Sequence, residues 1–156
     1  MALESVLRFS VVALTLAAAS CTTSQHGPDG SSLISSADVD ISKRDTDAGK
    51  THFEEGNYGL AEKHFRKAVE LRADNGDAWL GLAASYDRLG RFELADRAYE
   101  QALKVAGRTP KIVNNMGYSR LLRGDRAKAK ELLEEALVLM PGDPVVLANL
   151  DLLRNP

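Results

Sequence analysis

The sequence predicts an all-α fold, a solenoid of three helical hairpins followed by one closing helix. A glycine returns every 34 residues, at Gly56, Gly90 and Gly124. Alanines and bulky residues keep the same register, at Ala61, Ala95 and Ala129, at Ala68, Ala102 and Ala136, and at Phe65, Tyr99 and Leu133. A period of this length is typical of helix–turn–helix units that stack side by side and bury a continuous core.

The chain begins with an apolar leader, residues 1–20. Its apolar run from Phe9 to Ala19 has the length of a signal-peptide core and is too short to span a bilayer comfortably. Cys21, the one cysteine of the sequence, follows directly in the stretch LAAASC. This stretch resembles a bacterial lipobox, which implies cleavage before Cys21 and a lipid on its thiol. Ordinary cleavage near Ala19, and an uncleaved anchor or misread start, are the alternatives.

The second element is a tether, residues 21–42, which carries the lipidated cysteine at its beginning. It is rich in Ser, Thr, Gly and Asp and lacks sustained apolar periodicity, which predicts a flexible segment with a reach of about 25 Å. Residue 22 is Thr rather than Asp. By resemblance to the lipoproteins of enteric bacteria, this implies a lipid-anchored protein of the cell envelope, at the outer membrane and facing the periplasm.

Three repeats follow, over residues 42–75, 76–109 and 110–143. In each, the glycine permits the left-handed conformation that ends a first helix, and a short turn leads to a second. The small residues let helix backbones approach closely, while the bulky ones fill the grooves between neighbouring helices. The domain spans residues 43–154 and ends in a closing helix, 144–154, with Asp143 as its N-cap and Pro144 at its first position.

Repeat two carries the pattern of a known family. Its residues Trp79, Leu82, Ala83, Tyr86, Gly90, Phe92, Ala95, Tyr99 and Ala102 resemble the signature of the tetratricopeptide repeat (TPR). Repeat one departs from it with Asp45 at the tryptophan column and His52 at the column of Tyr86, and repeat three departs at Val113 and Arg120. We expect the His52 ring to pack at a helix interface and His64 to lie at the surface. The resemblance implies a right-handed solenoid.

The same resemblance implies a concave groove lined by the first helices of successive repeats. Its predicted lining is Lys50, Phe53 and Glu54, then Leu80, Ala84, Asp87 and Arg88, then Lys111, Asn114, Asn115, Tyr118 and Leu121, with Ala148 and Leu152 of the closing helix. Phe53 and Leu121 could instead belong to the core, whereas Tyr118 and Asn114 are the favoured contact residues. The columns of the family's carboxylate clamp hold Thr46, Lys50, Gly81, Lys111 and Asn115, so that clamp is largely absent.

The composition of the chain argues against nucleic acid as a partner. A formal net charge of −2, with 44% hydrophobic and 27% charged residues, gives no general attraction to nucleic acid. The sequence holds no nucleophile elbow, no glycine-rich phosphate loop and no metal-ligand spacing among its histidines, so we expect neither an enzyme, nor a cofactor, nor a metal site. A protein or peptide segment is the expected partner.

The runs Trp79 to Ala98 and Asn114 to Asp125, with the ending NLDLLRNP, resemble the Tad (Flp) pilus assembly lipoproteins of the TadD family. The resemblance implies a pilotin-like adaptor that binds a secretin or another pilus component while its lipid holds it in the membrane. The alternative is a general envelope scaffold that serves cell-wall enzymes or outer-membrane protein assembly.

Overall fold

The computed structural model describes residues 35–154 of the chain, and within this range it is entirely helical between its turns. The helices are α1 Ser36–Glu54, α2 Tyr58–Leu71, α3 Gly76–Arg88, α4 Phe92–Ala106, α5 Pro110–Leu122, α6 Arg126–Leu139 and α7 Pro144–Arg154. Helices α1–α2, α3–α4 and α5–α6 form three hairpins, each packed on the next, and α7 packs on α6 and α5. The predicted all-α solenoid of three hairpins and a closing helix is confirmed.

The periodic glycines end the first helix of every hairpin in the same way. Gly56, Gly90 and Gly124 have φ angles of 77°, 70° and 77°. The N–H of the following residue donates across the turn, from Asn57 to His52 O at 2.8 Å in the first hairpin, and the other two hairpins repeat this bond at 2.9 Å. This is the Schellman arrangement, which requires a left-handed residue that glycine adopts without strain.

Close backbone approach explains why the small residues recur. The ring of Phe65 on α2 lies between α1 and α3, so a Cβ added at Gly49 would come within 2.9 Å of it and one at Gly81 within 2.4 Å. In the third hairpin, a Cβ on Gly117 would come within 2.8 Å of Leu133. The bulky and small columns of the sequence therefore meet as knob and groove between neighbouring helices.

Helix α1 begins earlier than the predicted end of the tether at residue 42. Ser35 and Asp38 form a reciprocal capping box that starts the helix. The buried hydroxyl of Ser42 donates to Ala68 O of α2 at 3.0 Å. These polar anchors explain the error, because residues 36–42 have hydroxyl and carboxyl groups where an apolar pattern would signal a helix. The leader, Cys21 and the rest of the tether lie outside the described residues.

A polar cluster replaces the aromatic columns of repeat one. The buried carboxylate of Asp45 accepts from His64 Nδ1 at 3.0 Å and pairs with Lys67 Nζ at 2.9 Å. The His64 ring stacks on His52 with centroids 5.3 Å apart. His52 thus packs between α1 and α2 as predicted, whereas His64, predicted at the surface, is half-buried. Within residues 35–154, no group of three or more His, Cys, Asp or Glu side chains is arranged to hold a metal ion.

The last helix is capped as the sequence predicts. The Asp143 carboxylate accepts from the N–H groups of Val145 and Val146, each at 3.0 Å. Val146 and Leu150 are buried against the third hairpin. None of the described helices is long and apolar enough to cross a membrane.

Candidate binding groove

Two adjoining cavities follow the first helices of the repeats. The N-terminal cavity, about 290 Å³, is lined by Lys50, Phe53, Glu54, Phe65, Asp77, Leu80, Gly81, Ala84, Lys111 and Asn115. The C-terminal cavity, about 230 Å³, is lined by Phe53, Ala84, Asp87, Arg88, Tyr99, Asn114, Asn115, Tyr118, Val145 and Asn149. Because Phe53, Ala84 and Asn115 line both, the two cavities form one continuous surface, which we call the groove.

Most of the predicted lining residues reach the groove, and Leu121 does not. It packs instead against the C-terminal core cluster that contains Val113 and Leu132, so its interpretation as a groove residue is wrong. Phe53 plays both roles that the sequence left open, since it packs against the core and also lines both cavities.

The closing helix contributes different residues from those predicted. Val145 and Asn149 line the C-terminal cavity, whereas the predicted Ala148 and Leu152 are exposed elsewhere. Two periods of 34 residues separate Ala148 and Leu152 from Leu80 and Ala84, so these residues share columns. In repeat two, Leu80 and Ala84 lie beside the first helix of the next repeat. In the described residues, α7 is the last helix and has no such neighbour. Val145 and Asn149 lie one period after Lys111 and Asn115, so these two columns predict the residues of α7 that line the cavity.

The floor of the C-terminal cavity is a buried polar network centred on Asp87. Its two carboxylate oxygens accept from Tyr99 OH and from Ser119 OH, both at 2.8 Å. Arg123 Nη2 approaches the same carboxylate at 3.5 Å and bonds to the Ser119 hydroxyl at 2.9 Å. Burial raises the pKa of Asp87, although Ser119, Tyr99 and Arg123 act to lower it. Burial also raises the pKa of the Tyr99 hydroxyl well above its ordinary value.

This network joins two neighbouring repeats. Asp87 belongs to α3, Tyr99 to α4 and Ser119 to α5, and Arg123 follows directly after α5. A carboxylate that is 2% exposed and saturated by its own chain has little capacity left for a ligand. We therefore assign Asp87 to the support of the groove rather than to direct contact.

Asn114, a favoured contact residue in the sequence, also has a supporting role. It is 6% exposed, and its Oδ1 accepts from Asn149 Nδ2 at 3.0 Å. This bond fixes α7 against α5. Asn114 lines the C-terminal cavity as predicted, but the closing helix covers most of its side chain and leaves little of it for a partner.

The rim of the groove carries a row of aromatic rings around a guanidinium. The rings of Phe53 and Tyr58 meet edge to face at 5.2 Å. Arg88 Cζ lies 4.6 Å above the centre of the Tyr58 ring, and Arg88 Nη1 is 3.3 Å from Tyr118 OH. Tyr58 is not among the predicted groove residues, because it begins a second helix and the resemblance implies a groove lined by first helices.

Charged side chains flank the N-terminal cavity. Lys50 Nζ pairs with Asp77 Oδ2 at 3.1 Å. Among residues 35–154, the ammonium of Lys111 and the carboxylate of Glu54 have no ion-pair partner within 4.0 Å. The cavity thus combines an apolar floor with charges of both signs, which is the composition of a surface that binds a polypeptide segment.

Two curated relatives match part of the chain. The cytochrome c-type biogenesis protein CycH of Pseudomonas aeruginosa is 31% identical over 90 residues, which is 56% of this chain and 21% of that protein. CycH of Rhizobium meliloti is 35% identical over 89 residues, 54% of this chain and 22% of that protein. The chain therefore spans about a fifth of the length of these relatives.

Solved structures share the fold. The Arabidopsis OM64 TPR domain superposes with a TM-score of 0.66 at 20% identity, covering 75% of this chain and 97% of that domain. Pseudomonas aeruginosa pilF gives a TM-score of 0.64 at 27% identity, covering 75% and 54%. The second TPR domain of human RPAP3, in complex with the HSP70 peptide SGPTIEEVD, gives 0.64 at 23% identity, covering 76% and 99%.

Two family models, both described as tetratricopeptide repeat, match residues 52–113 and 85–144. Together they span residues 52–144, which contain most of the first hairpin and all of the second and third. The glycine turns and the small and bulky columns of the structure fall within this range. Across residues 52–144, the chain belongs to the tetratricopeptide repeat family.

Proposed function

We propose that this TPR protein-interaction module is an adaptor of the bacterial cell envelope. In this role the groove binds a polypeptide segment of a secretin or another pilus component, and a lipid on Cys21 holds the chain at the outer membrane. The observation that carries the proposal is the continuous groove along α1, α3, α5 and α7. The LAAASC stretch, the resemblance to the TadD family and the 27% identity with pilF support the envelope and pilus setting.

The shape of the groove favours a segment of chain over a compact small molecule. Each cavity is small and open to its neighbour, and the two share a wall formed by Phe53, Ala84 and Asn115. Successive side chains of a bound segment could occupy them in turn, with the polar rim satisfying its backbone groups. Tyr118, on the rim, offers a rigid aromatic surface with a polar end, which is characteristic of residues that dominate binding.

Cross-linking in cells tests the partner. The native chain and its Tyr118→Ala variant would be cross-linked, extracted in detergent and purified, and the captured proteins identified by mass spectrometry. We expect a secretin or pilus component with the native chain and much less of it with Tyr118→Ala. Lys104→Ala, a change on the exposed face of α4, is the control and should capture as the native chain does. Consistent capture of an unrelated partner would refute the proposal.

The membrane anchor has its own test. Replacing Cys21 by Ser removes the thiol that a lipid would occupy. We expect the variant to move from the membrane fraction to the periplasmic fraction and to lose incorporation of labelled palmitate. Retention in the membrane would contradict lipidation and favour an uncleaved anchor.

A role in cytochrome c-type biogenesis is the second candidate, because the two CycH relatives are 31% and 35% identical to this chain over 90 and 89 residues. The cross-linking experiment separates the two candidates. Capture of c-type cytochrome precursors or their assembly proteins, together with loss of mature c-type cytochromes on deletion, would favour this role over pilus assembly.

A further inference from the structure

We propose that Arg88 makes the C-terminal half of the groove selective for a partner segment with an acidic side chain next to an apolar one. The proposal rests on the proposed function, since it names the chemistry of the segment that the groove binds. It concerns a cation held at the rim with no opposite charge of its own.

Arg88 is fixed by two contacts that leave its charge uncompensated. Its guanidinium lies 4.6 Å above the Tyr58 ring and 3.3 Å from the Tyr118 hydroxyl. A ring face and a neutral hydroxyl orient the guanidinium without neutralising it. Among residues 35–154, no carboxylate lies within 4.0 Å of it.

Four other guanidiniums each pair with a carboxylate of the chain itself. Arg66 and Arg91 share the buried carboxylate of Glu62. Arg123 and Arg120 both pair with Asp96.

Asp87 cannot serve Arg88 as a partner either. Its carboxylate lines the same cavity but is 2% exposed and is bound by Tyr99, Ser119 and Arg123. The C-terminal cavity therefore presents a positive charge at its rim that a carboxylate of a ligand can pair with.

An apolar side chain of the ligand has a place beside this charge. Phe53 and Ala84 line the cavity next to Arg88, and Val145 of α7 lines it too. The Phe53 ring contacts the Tyr58 ring on which Arg88 lies. An apolar side chain of the ligand bound here would place the carboxylate of an adjacent ligand residue within reach of the Arg88 guanidinium.

Arg88 is not a residue of the family's carboxylate clamp. The carboxylate-clamp columns fall at Thr46, Lys50, Gly81, Lys111 and Asn115, and Arg88 lies outside them. Its column holds Glu54 in repeat one and Leu122 in repeat three, so a positive charge occurs once in this column. Because Tyr58 and Tyr118 already restrict the side chain, less rotamer entropy is lost on binding than for a free arginine.

Peptide selection against the full-length chain tests the proposal. The detergent-solubilised chain would be immobilised and exposed to a phage library of random peptides, in parallel with Arg88→Gln. Arg97→Gln is the matched control, because Arg97 is an exposed arginine on α4 that has no ion-pair partner in the described part of the chain. We expect the native chain and Arg97→Gln to enrich peptides that pair Asp or Glu with an aromatic or aliphatic residue. Arg88→Gln should keep the apolar preference and lose the acidic one.

A double-mutant cycle then measures the contact. One enriched peptide and its Glu→Gln version would be labelled and titrated by fluorescence anisotropy. We expect Arg88→Gln to lower the affinity for the acidic peptide by about fivefold, as for the loss of an exposed ion pair. The affinity for the neutral peptide should not change. Arg88→Lys should restore only part of the affinity, because an ammonium lacks the planar donor pair.

The outcomes separate the two proposals. Peptides that depend on Tyr118 but show no acidic preference would overturn the inference and leave the groove as a binding site. If no enriched peptide loses its binding in the Tyr118→Ala variant, both the inference about Arg88 and the proposed binding groove are overturned. Anionic vesicles of phosphatidylglycerol give the remaining control, since a loss of co-sedimentation with Arg88→Gln but not with Arg97→Gln would show that Arg88 serves a lipid surface instead.

Discussion

Removing the Asp87 carboxylate is the most informative perturbation of the groove's support. In Asp87→Ala, the buried Ser119 hydroxyl loses its acceptor, while Tyr99 OH keeps a bond to Asn115 O at 3.2 Å. Arg123 keeps Asp96, whose two carboxylate oxygens it reaches at 2.7 and 2.8 Å. One buried donor is thus left unsatisfied, and Arg123 loses one of its two carboxylate partners but keeps the other.

The expected loss of stability follows from these contacts. Leaving one buried hydroxyl unpaired costs about 1–3 kcal/mol, and fully breaking a buried ion pair costs about 3–5 kcal/mol. Because Arg123 retains Asp96, we expect the free energy of unfolding to fall by about 2–4 kcal/mol. Asp77→Ala on the same helix is the control: its side chain is 59% exposed, and its loss should cost less than about 0.5 kcal/mol.

Urea denaturation of the full-length chain, followed by circular dichroism and by the fluorescence of Trp79, measures both variants. Trp79 is the one tryptophan of the sequence and lies on α3 with Asp87, so it reports on the same repeat. A double-mutant cycle with Tyr99→Phe should give a coupling energy of about 0.5–3 kcal/mol. If Asp87→Ala costs no more than Asp77→Ala, the network does not stabilise the repeat junction and the reasoning is refuted.

Three further predictions concern packing and pH. Gly81→Ala places a Cβ 2.4 Å from the Phe65 ring and should cost about 1–3 kcal/mol in urea denaturation, whereas Gly59→Ala, which meets nothing within 4 Å, should be neutral or slightly stabilising. Ala95→Leu overpacks a fully buried helix contact and should lower stability by a similar amount of about 1–3 kcal/mol; unchanged stability would contradict the column assignment. Burial acts to raise the pKa of Asp45, but its bonds to the basic side chains of α2 outweigh that effect and leave the pKa lowered. The stabilisation by ionised Asp45 is therefore present above about pH 4 and is lost as the pH falls below it, so Asp45→Asn should show a flatter decline in helicity between about pH 2 and pH 4.

The periodic features of the fold could be predicted because they depend on local geometry. A residue with a left-handed backbone favours glycine, so Gly56, Gly90 and Gly124 identify the turns wherever the rest of the chain lies. The capping pattern at Asp143 and Pro144 is equally local. The start of α1 was mispredicted, because its polar residues are held by a capping box and by the buried hydroxyl of Ser42, which no apolar pattern reveals.

Residues at shared columns did not all share a role. Asp87 and Leu121 occupy the same column, yet one supports the groove floor and the other packs into the C-terminal cluster. The difference arises from their neighbours, a polar network in one case and an apolar core in the other. The burial of Asn114 could not be predicted for the same reason, because its covering partner Asn149 lies 35 residues away in the sequence.

The sequence by itself determined the hairpins, their turns, the closing helix and the helices that line the groove. These depend on side-chain size and backbone conformation at a fixed spacing, which one chain displays directly. The tertiary structure alone decided which polar side chains satisfy one another and which remain available to a partner. The carboxylate of Asp87 is bound by Tyr99, Ser119 and Arg123, whereas Arg88, one residue further along α3, has polar or ring contacts within residues 35–154 only to Tyr58 and Tyr118. Such differences are set by distances of a few ångströms between separate helices, and a repeat pattern contains no information at that scale.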